Sequence, residues 1–390
     1  MLNENILEIE SKNAFAEVTK KITEYKEKNS NAELVSLGIG DVSRPIVKDV
    51  IEAMHKAVDD LSTMENFKGY GAYYGYDFLR EKILENEYGK FGFSTEEIYV
   101  SNGAKTDTTS ILELFDINSK ILITNPMYPI YRDGAKCLNR NVYIMNLLES
   151  DNFIPRVPKE KYDLIYMCSP NNPIGNAYSK DDLNKWIKYA KENNSVILYD
   201  NVYEAFITTD NVPHSIYELD GAKDVAIEFR SFSKKASFTG VRCSYFVIPN
   251  EISENINYLW KKRTINRFNG ADYIAQRGAE ATYLQTAKQE IDKNIRYYLE
   301  NAKCLRDNFE KCGFKVWGGI DSPFMWVKTK NGLSSWEMFN EFLEKLNIII
   351  IPGIIFGNAG DGYFRASALG NKEQIEVANE RIRKYYEEKF

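Results

Sequence analysis

A chain of 390 residues, 44% hydrophobic and 27% charged, has the composition of an ordinary globular protein and is long enough for two domains. Its formal net charge of −6 supplies no basic stripe to neutralise phosphates, so nucleic acid is not an expected partner. Two histidines exclude a His-rich metal site and disfavour a Ser-His-Asp triad, and the apolar run Asn347–Ile355, broken by Pro352 and Gly353, is too short for a bilayer.

In chain order, Met1-Leu2-Asn3-Glu4 opens no export-type segment, and Cys137, Cys168, Cys243, Cys304 and Cys312 are scattered and odd in number. Both features predict a cytoplasmic protein. His55, in the amphipathic stretch Ile51–Val58, and His214, after Pro213, read as structural. From about residue 45 to 280, short β-rich runs alternate with helical patterns. Strands are predicted at Ile98–Ser101, Lys120–Thr124, Val142–Met145, Leu164–Cys168, Val196–Asp200, Val225–Arg230 and Tyr245–Ile248. A helix is predicted over Asp181–Asn193, with Ser179 as its N-cap. Near-continuous apolar strands between amphipathic helices predict an α/β unit around a mostly parallel sheet.

Past Thr282 the pattern changes to a long charged helix (Gln285–Cys312), strands at Phe314–Trp317 and Phe324–Lys328, and a helix Ser334–Leu346. The expectation is a large α/β domain over 45–280 and a smaller α+β domain from 1–44 and 281–390.

Five segments at strand ends carry chemistry. Ser231-Phe232-Ser233-Lys234-Lys235, with Thr239 and Arg242 downstream, puts hydroxyls, amines and a guanidinium at the mouth of an apolar strand. That set suits a phosphorylated ligand beside a nucleophilic lysine whose pKa is depressed by neighbouring cations, Lys235 and Arg242. Asp200 ends an apolar strand where an unpaired carboxylate is costly, so it asks for a cationic partner, with Tyr203 close by. Ser169-Pro170-Asn171-Asn172-Pro173-Ile174-Gly175 is a loop of turn formers. Ser101-Asn102-Gly103-Ala104-Lys105 opens a helix whose free amides suit an anion. Tyr128, in Pro126-Met127-Tyr128-Pro129, can stack on a flat ring. Each segment alone also reads as a plain turn, cap or loop; their order and spacing are specific.

Together they resemble the fold-type I pyridoxal-phosphate aminotransferases, and within them the LL-diaminopimelate aminotransferase family. The resemblance covers nearly the whole chain, through Ser36–Asp41, Gly69-Tyr70-Gly71, Ser169–Pro173, Ile227–Lys234, Phe238–Arg242, Phe268-Asn269-Gly270 and Tyr363-Phe364-Arg365. It implies a pyridoxal 5′-phosphate cofactor anchored covalently on Lys234, with Asp200 on the pyridine nitrogen and Tyr203 and Asn172 on the phenolic oxygen. The phosphate would be held by the Ala104 and Lys105 amides, Ser231 and Arg242, with Tyr70 reaching across from a second subunit of a homodimer with shared active sites. Tyr128 would stack on the ring. Arg365 would clamp the substrate α-carboxylate, for which a bidentate guanidinium is suited, beside Gly40, Asn172 and Asn269. Lys234, once freed, would shuttle the α-proton.

The sequence departs from the family at several places. The usual Asn-Pro-Thr-Gly reads Asn172-Pro173-Ile174-Gly175, with the loss of a turn hydrogen bond expected; a usual glycine is Ser237; a usual Gly-Ser-Gly-Phe-Gly reads Gly353-Ile354-Ile355-Phe356-Gly357. In the substrate pocket Tyr73 stands for a usual glutamate and Asn13 for a usual tyrosine. A distal ammonium without its carboxylate binds poorly. The expectation is an amino-acid/2-oxo-acid aminotransferase resembling the LL-diaminopimelate enzymes. The alternatives are an aminotransferase of the same lineage with a less polar or aromatic donor, and so with low activity on LL-diaminopimelate, or a pyridoxal-phosphate-dependent lyase.

Overall fold

The structure is a computed structural model and describes residues 2, 4–7, 9, 11–38 and 40–387, without the side chains of 11–14 and 387. Numbered along the chain, its strands are β1 (Val35–Ser36), β2 (Ile98–Ser101), β3 (Ile121–Asn125), β4 (Val142–Asn146), β5 (Leu164–Cys168), β6 (Val196–Asp200) and β7 (Ala226–Ser231). They continue as β8 (Ser244–Val247), β9 (Val316–Gly318), β10 (Phe324–Lys328), β11 (Ile348–Ile349), β12 (Ile351–Pro352) and β13 (Tyr363–Ser367).

β2 to β8 form a seven-stranded sheet in the order β2-β8-β7-β6-β5-β3-β4. Its neighbours are parallel except at β8, which runs antiparallel to both β7 and β2. Every residue of β5 and β7 is buried. Helices cover both faces, which is why these strands are apolar throughout instead of alternating. The chain leaves β3 toward β4 on one side and returns to β5 on the other, a reversal of strand order that opens a crevice at the carboxyl ends. The segments after β2, β3, β5, β6 and β7 all emerge at that edge.

A four-stranded antiparallel sheet, β12-β13-β10-β9, and the parallel pair β1-β11 lie beyond it. The helix Gln285–Lys311 joins the two regions. Its first half puts Ile291 and Ile295 into the core around the large sheet, and its second half puts Leu305 and Phe309 into the core around the small one.

Local signals place most boundaries. Ser179 caps the helix Lys180–Asn193, its hydroxyl accepting from the Asp182 amide while the Asp182 carboxylate bonds back. The expected helix Ser334–Leu346 is instead an α-helix, Ser335–Glu341, continued by a π-turn, Phe342–Leu346, and ended by Asn347 at φ +55°. The widened turn keeps Phe342, Leu343 and Leu346 all buried. Ile174, read as a lost turn hydrogen bond, is fully buried in the core of the small sheet. Ser237 stands at φ +62°, in the left-handed region that favours glycine.

Candidate active site

At the carboxyl edge lies a cavity of about 570 Å³. Two surface grooves are larger, about 730 and 760 Å³, so volume does not select the site; converging buried polar groups do.

Lys234 and Lys235 share a one-turn helix, Phe232–Lys235, capped by Ser231, whose hydroxyl accepts from the Ser233 amide. They face opposite ways. Lys234 lines the cavity and donates to the Gly40 carbonyl. Burial first, then the Arg365 and Arg242 guanidiniums, pull its amine down to about 8 against the partial opposition of Asp41. Lys235 instead pairs with Glu87 at 3.3 Å and Glu204 at 3.2 Å, and those carboxylates, against burial, hold it above the ordinary lysine value. The expectation that Lys235 depresses the Lys234 pKa is thereby corrected: Lys235 is neutralised by its carboxylate partners, and Arg365 takes its place beside Lys234.

Asp200 ends β6 and faces the same cavity. It accepts from Tyr131 Oη at 2.6 Å and from the Val202 amide at 3.3 Å. Among the described residues no cation lies within ion-pair distance. Burial pushes its carboxyl up to about 6, partly offset by these two donors. Tyr203 packs edge-on against Phe324, centroids 5.2 Å apart, and its hydroxyl has no hydrogen-bond partner among the described residues. Tyr128 also lines the cavity, edge-on to Tyr131.

Arg365, central in β13, is buried between the rings of Phe324 and Phe356. It donates to Asn172 Oδ1 at 2.9 Å and to the Gly38 carbonyl at 3.0 Å, while Nε has no partner among the described residues. Without a carboxylate, burial pulls this guanidinium down to about 10. Asn172 also lines the cavity, and its amide nitrogen has no hydrogen-bond partner among the described residues.

Around Gly103 the wall is shaped for an anion. Gly103 sits at φ +137°, and a Cβ there would come within 2.0 Å of the Arg242 guanidinium. Only glycine permits that approach. Arg242 donates to Ser233 Oγ at 3.3 Å and to the Thr239 carbonyl at 3.1 Å. Ala104, Lys105 and Ser231 line the same end, with the first amides of a helix directed there.

The single chain does not bring every expected residue to the cavity. Tyr70 is 89% exposed. Tyr73 lines a separate small groove with Arg263 and Phe268, and Asn269 is outside the cavity lining. Asn13 lies in the helix Ser11–Lys28, and its side chain falls outside the described residues. Sequence reasoning missed Tyr131, 69 residues from Asp200, and the carboxylates Glu87 and Glu204; a tyrosine in an amphipathic helix and glutamates in mixed sequence carry no local signal of such roles. It also missed Asp107, buried beneath the anion end, which accepts from Ser101 and Ser244 hydroxyls and is pushed by burial up to about 6.

A lysine and an acid from the carboxyl edge of a doubly wound sheet thus share one cavity with a buried guanidinium from the small sheet, the layout of an α/β enzyme. Residues 32–382 match the family model Aminotransferase class I and II, and the chain belongs to that family. It is similar to the LL-diaminopimelate aminotransferase of Prochlorococcus marinus (strain MIT 9515), 43% identical over 98% of each chain. It is similar too to that of Methanosphaera stadtmanae, 42% identical over 98% of each. Among solved structures, the L,L-diaminopimelate aminotransferase from Chlamydomonas reinhardtii superposes with a TM-score of 0.92 at 36% identity, covering 99% of this chain and 98% of that one. The chain is an aminotransferase of fold type I, an enzyme of the transferase class.

Proposed function

We propose that the cavity binds pyridoxal 5′-phosphate and that the enzyme moves an amino group between an amino acid and a 2-oxo acid. One observation carries the reading: a buried acid without a cation, Asp200, shares a cavity with an amine of depressed pKa, Lys234. The residues fit the cofactor. A protonated pyridine nitrogen supplies the cation Asp200 lacks. The Ala104 and Lys105 amides, Ser231 and Arg242 suit the phosphate, Tyr128 the ring face, and the free hydroxyl of Tyr203 and amide of Asn172 the ring oxygen.

When bound, the cofactor supplies the electron sink that acidifies the substrate α-proton. The chain supplies the rest. Arg365, with its unpaired Nε, binds the α-carboxylate in a buried site where charge-assisted hydrogen bonds are strong. Lys234, poised near neutrality, would carry the proton between the substrate Cα and the cofactor carbon that receives the amino group. On this reading residues 45–280 hold the cofactor, while 1–44 and 281–390 bring Gly40 and Arg365. The exposed Tyr70 reaches the phosphate of a second subunit in a cytoplasmic homodimer.

For the substrate, the full-length similarity to LL-diaminopimelate aminotransferases supports that donor. A second reading, a less polar or aromatic donor, rests on the resemblance, which implies a glutamate and a tyrosine where this chain has Tyr73 and Asn13; Tyr73, outside the cavity in the single chain, would enter it from a second subunit. Loss of one charge-assisted bond weakens a distal ammonium by roughly ten- to a hundredfold. The test mixes holoenzyme with a panel of amino acids and follows conversion of the cofactor band to its amine form. LL-diaminopimelate as the fastest donor supports the first reading; a faster apolar or aromatic donor, with Tyr73→Glu restoring diaminopimelate, supports the second. No conversion by any amino acid overturns both.

A further inference from the structure

Two pairs of consecutive residues stand back to back across the cavity wall. Tyr203 and Lys234 face the cavity, whereas their neighbours Glu204 and Lys235 turn inward and meet each other at 3.2 Å. Glu87 completes a three-point contact, 3.3 Å from Lys235, and is held in turn by the hydroxyls of Tyr283 (2.7 Å) and Tyr245. Arg230 braces the same carboxylates, 3.0 Å from Glu204 and 3.7 Å from Glu87, and donates to the His214 carbonyl at 2.7 Å.

Such a cluster contributes little net stability, because removing charges from water offsets most of their attraction. What it imposes is geometry. The helix bearing Lys234 has four residues, a single turn that cannot sustain itself. Ser231 fixes its start. Its end runs into Ala236 and the left-handed Ser237, and among the described residues the ion pairs there are those of Lys235.

We propose that Lys235 is a positioning residue: by spanning Glu204 and Glu87 it fixes the one-turn helix against the loop that bears Tyr203, and so sets the aim and burial of the Lys234 amine. The inference rests on Lys234 being the reactive amine, and its test separates the two claims. Full-length, cofactor-free protein is acetylated with limiting acetic anhydride across a pH series, and labelling of the Lys234 peptide is read by mass spectrometry. Wild type gives a labelling midpoint near 8. Lys235→Met/Glu204→Gln, which removes both charges together at similar volume, raises the midpoint by about one unit or more, as the amine swings toward water. Lys235→Arg, which keeps the ion pairs, retains the low midpoint. If the double variant does not fold, Glu87→Gln loosens one contact and raises the midpoint by less.

An unchanged midpoint in a variant with wild-type near-ultraviolet circular dichroism overturns the proposal, and so does an equal rise in Lys235→Arg. A wild-type Lys234 that titrates like an ordinary surface lysine overturns the reading of the site instead.

Discussion

Tyr131 donates its phenolic O–H to Oδ2 of Asp200 across 2.6 Å, and no cation among the described residues completes the shell of that acid. Burial therefore leaves the folded-state carboxyl near 6, above its ordinary value of 3.8. A carboxyl raised on folding destabilises the folded state progressively as pH rises from 3.8 through 6, and the penalty is then constant. About two units correspond to on the order of 3 kcal/mol, an upper figure.

Cofactor-free Asp200→Asn is thus expected to be more stable than cofactor-free wild type at pH 7.5, by up to about 3 kcal/mol in urea melts, with the gain gone below pH 4. The same variant loses transamination by orders of magnitude. A less stable Asn variant at pH 7.5, or one with near-wild-type turnover, removes Asp200 from the role of counter-ion.

Arg365 presents the mirror case, a buried guanidinium whose Nε has no partner among the described residues. Arg365→Ala should raise KM for the amino acid roughly ten- to a hundredfold, the value of one or more charge-assisted bonds. Thermal stability of the cofactor-free protein should fall, because truncation empties the slot between Phe324 and Phe356 and leaves Asn172 and the Gly38 carbonyl without their donor, which outweighs the removal of a buried charge. An unchanged KM across two substrates contradicts the α-carboxylate role.

Tyr70 is exposed in the single chain, though it lies in a segment the resemblance places against a second subunit's phosphate. Mixing the inactive variants Tyr70→Ala and Lys234→Ala should restore activity, since each heterodimer regains one site with both native residues. No recovery after verified subunit exchange means that Tyr70 does not act across the interface.

How far the sequence carried these conclusions depended on distance. β5, β6 and β10 match their predicted limits because a strand buried on both faces reads as an unbroken apolar run. Asp200, Lys234 and Arg242 were legible because each ends or follows such a strand. Lys235 was misread because its partners lie 148 and 31 residues away, and nothing local tells a solvated lysine from one turned inward to two carboxylates. Tyr131 was missed likewise: position 131 is merely an apolar site on the helix Ile130–Cys137 until the fold sets it beneath β6. The π-turn at Phe342–Leu346 follows from packing, which periodicity alone does not encode.

Borohydride reduction of the holoenzyme followed by peptide mapping tests most directly whether Lys234, and not its neighbour, carries the cofactor. Lys234 is the amine lowered to about 8 and facing the cavity, while Lys235 is held protonated by Glu87 and Glu204. Reduction should therefore leave the pyridoxyl group on Lys234 alone, and Lys234→Ala should bind the cofactor without retaining it after reduction. A pyridoxyl group on Lys235, or none on either lysine, contradicts the account.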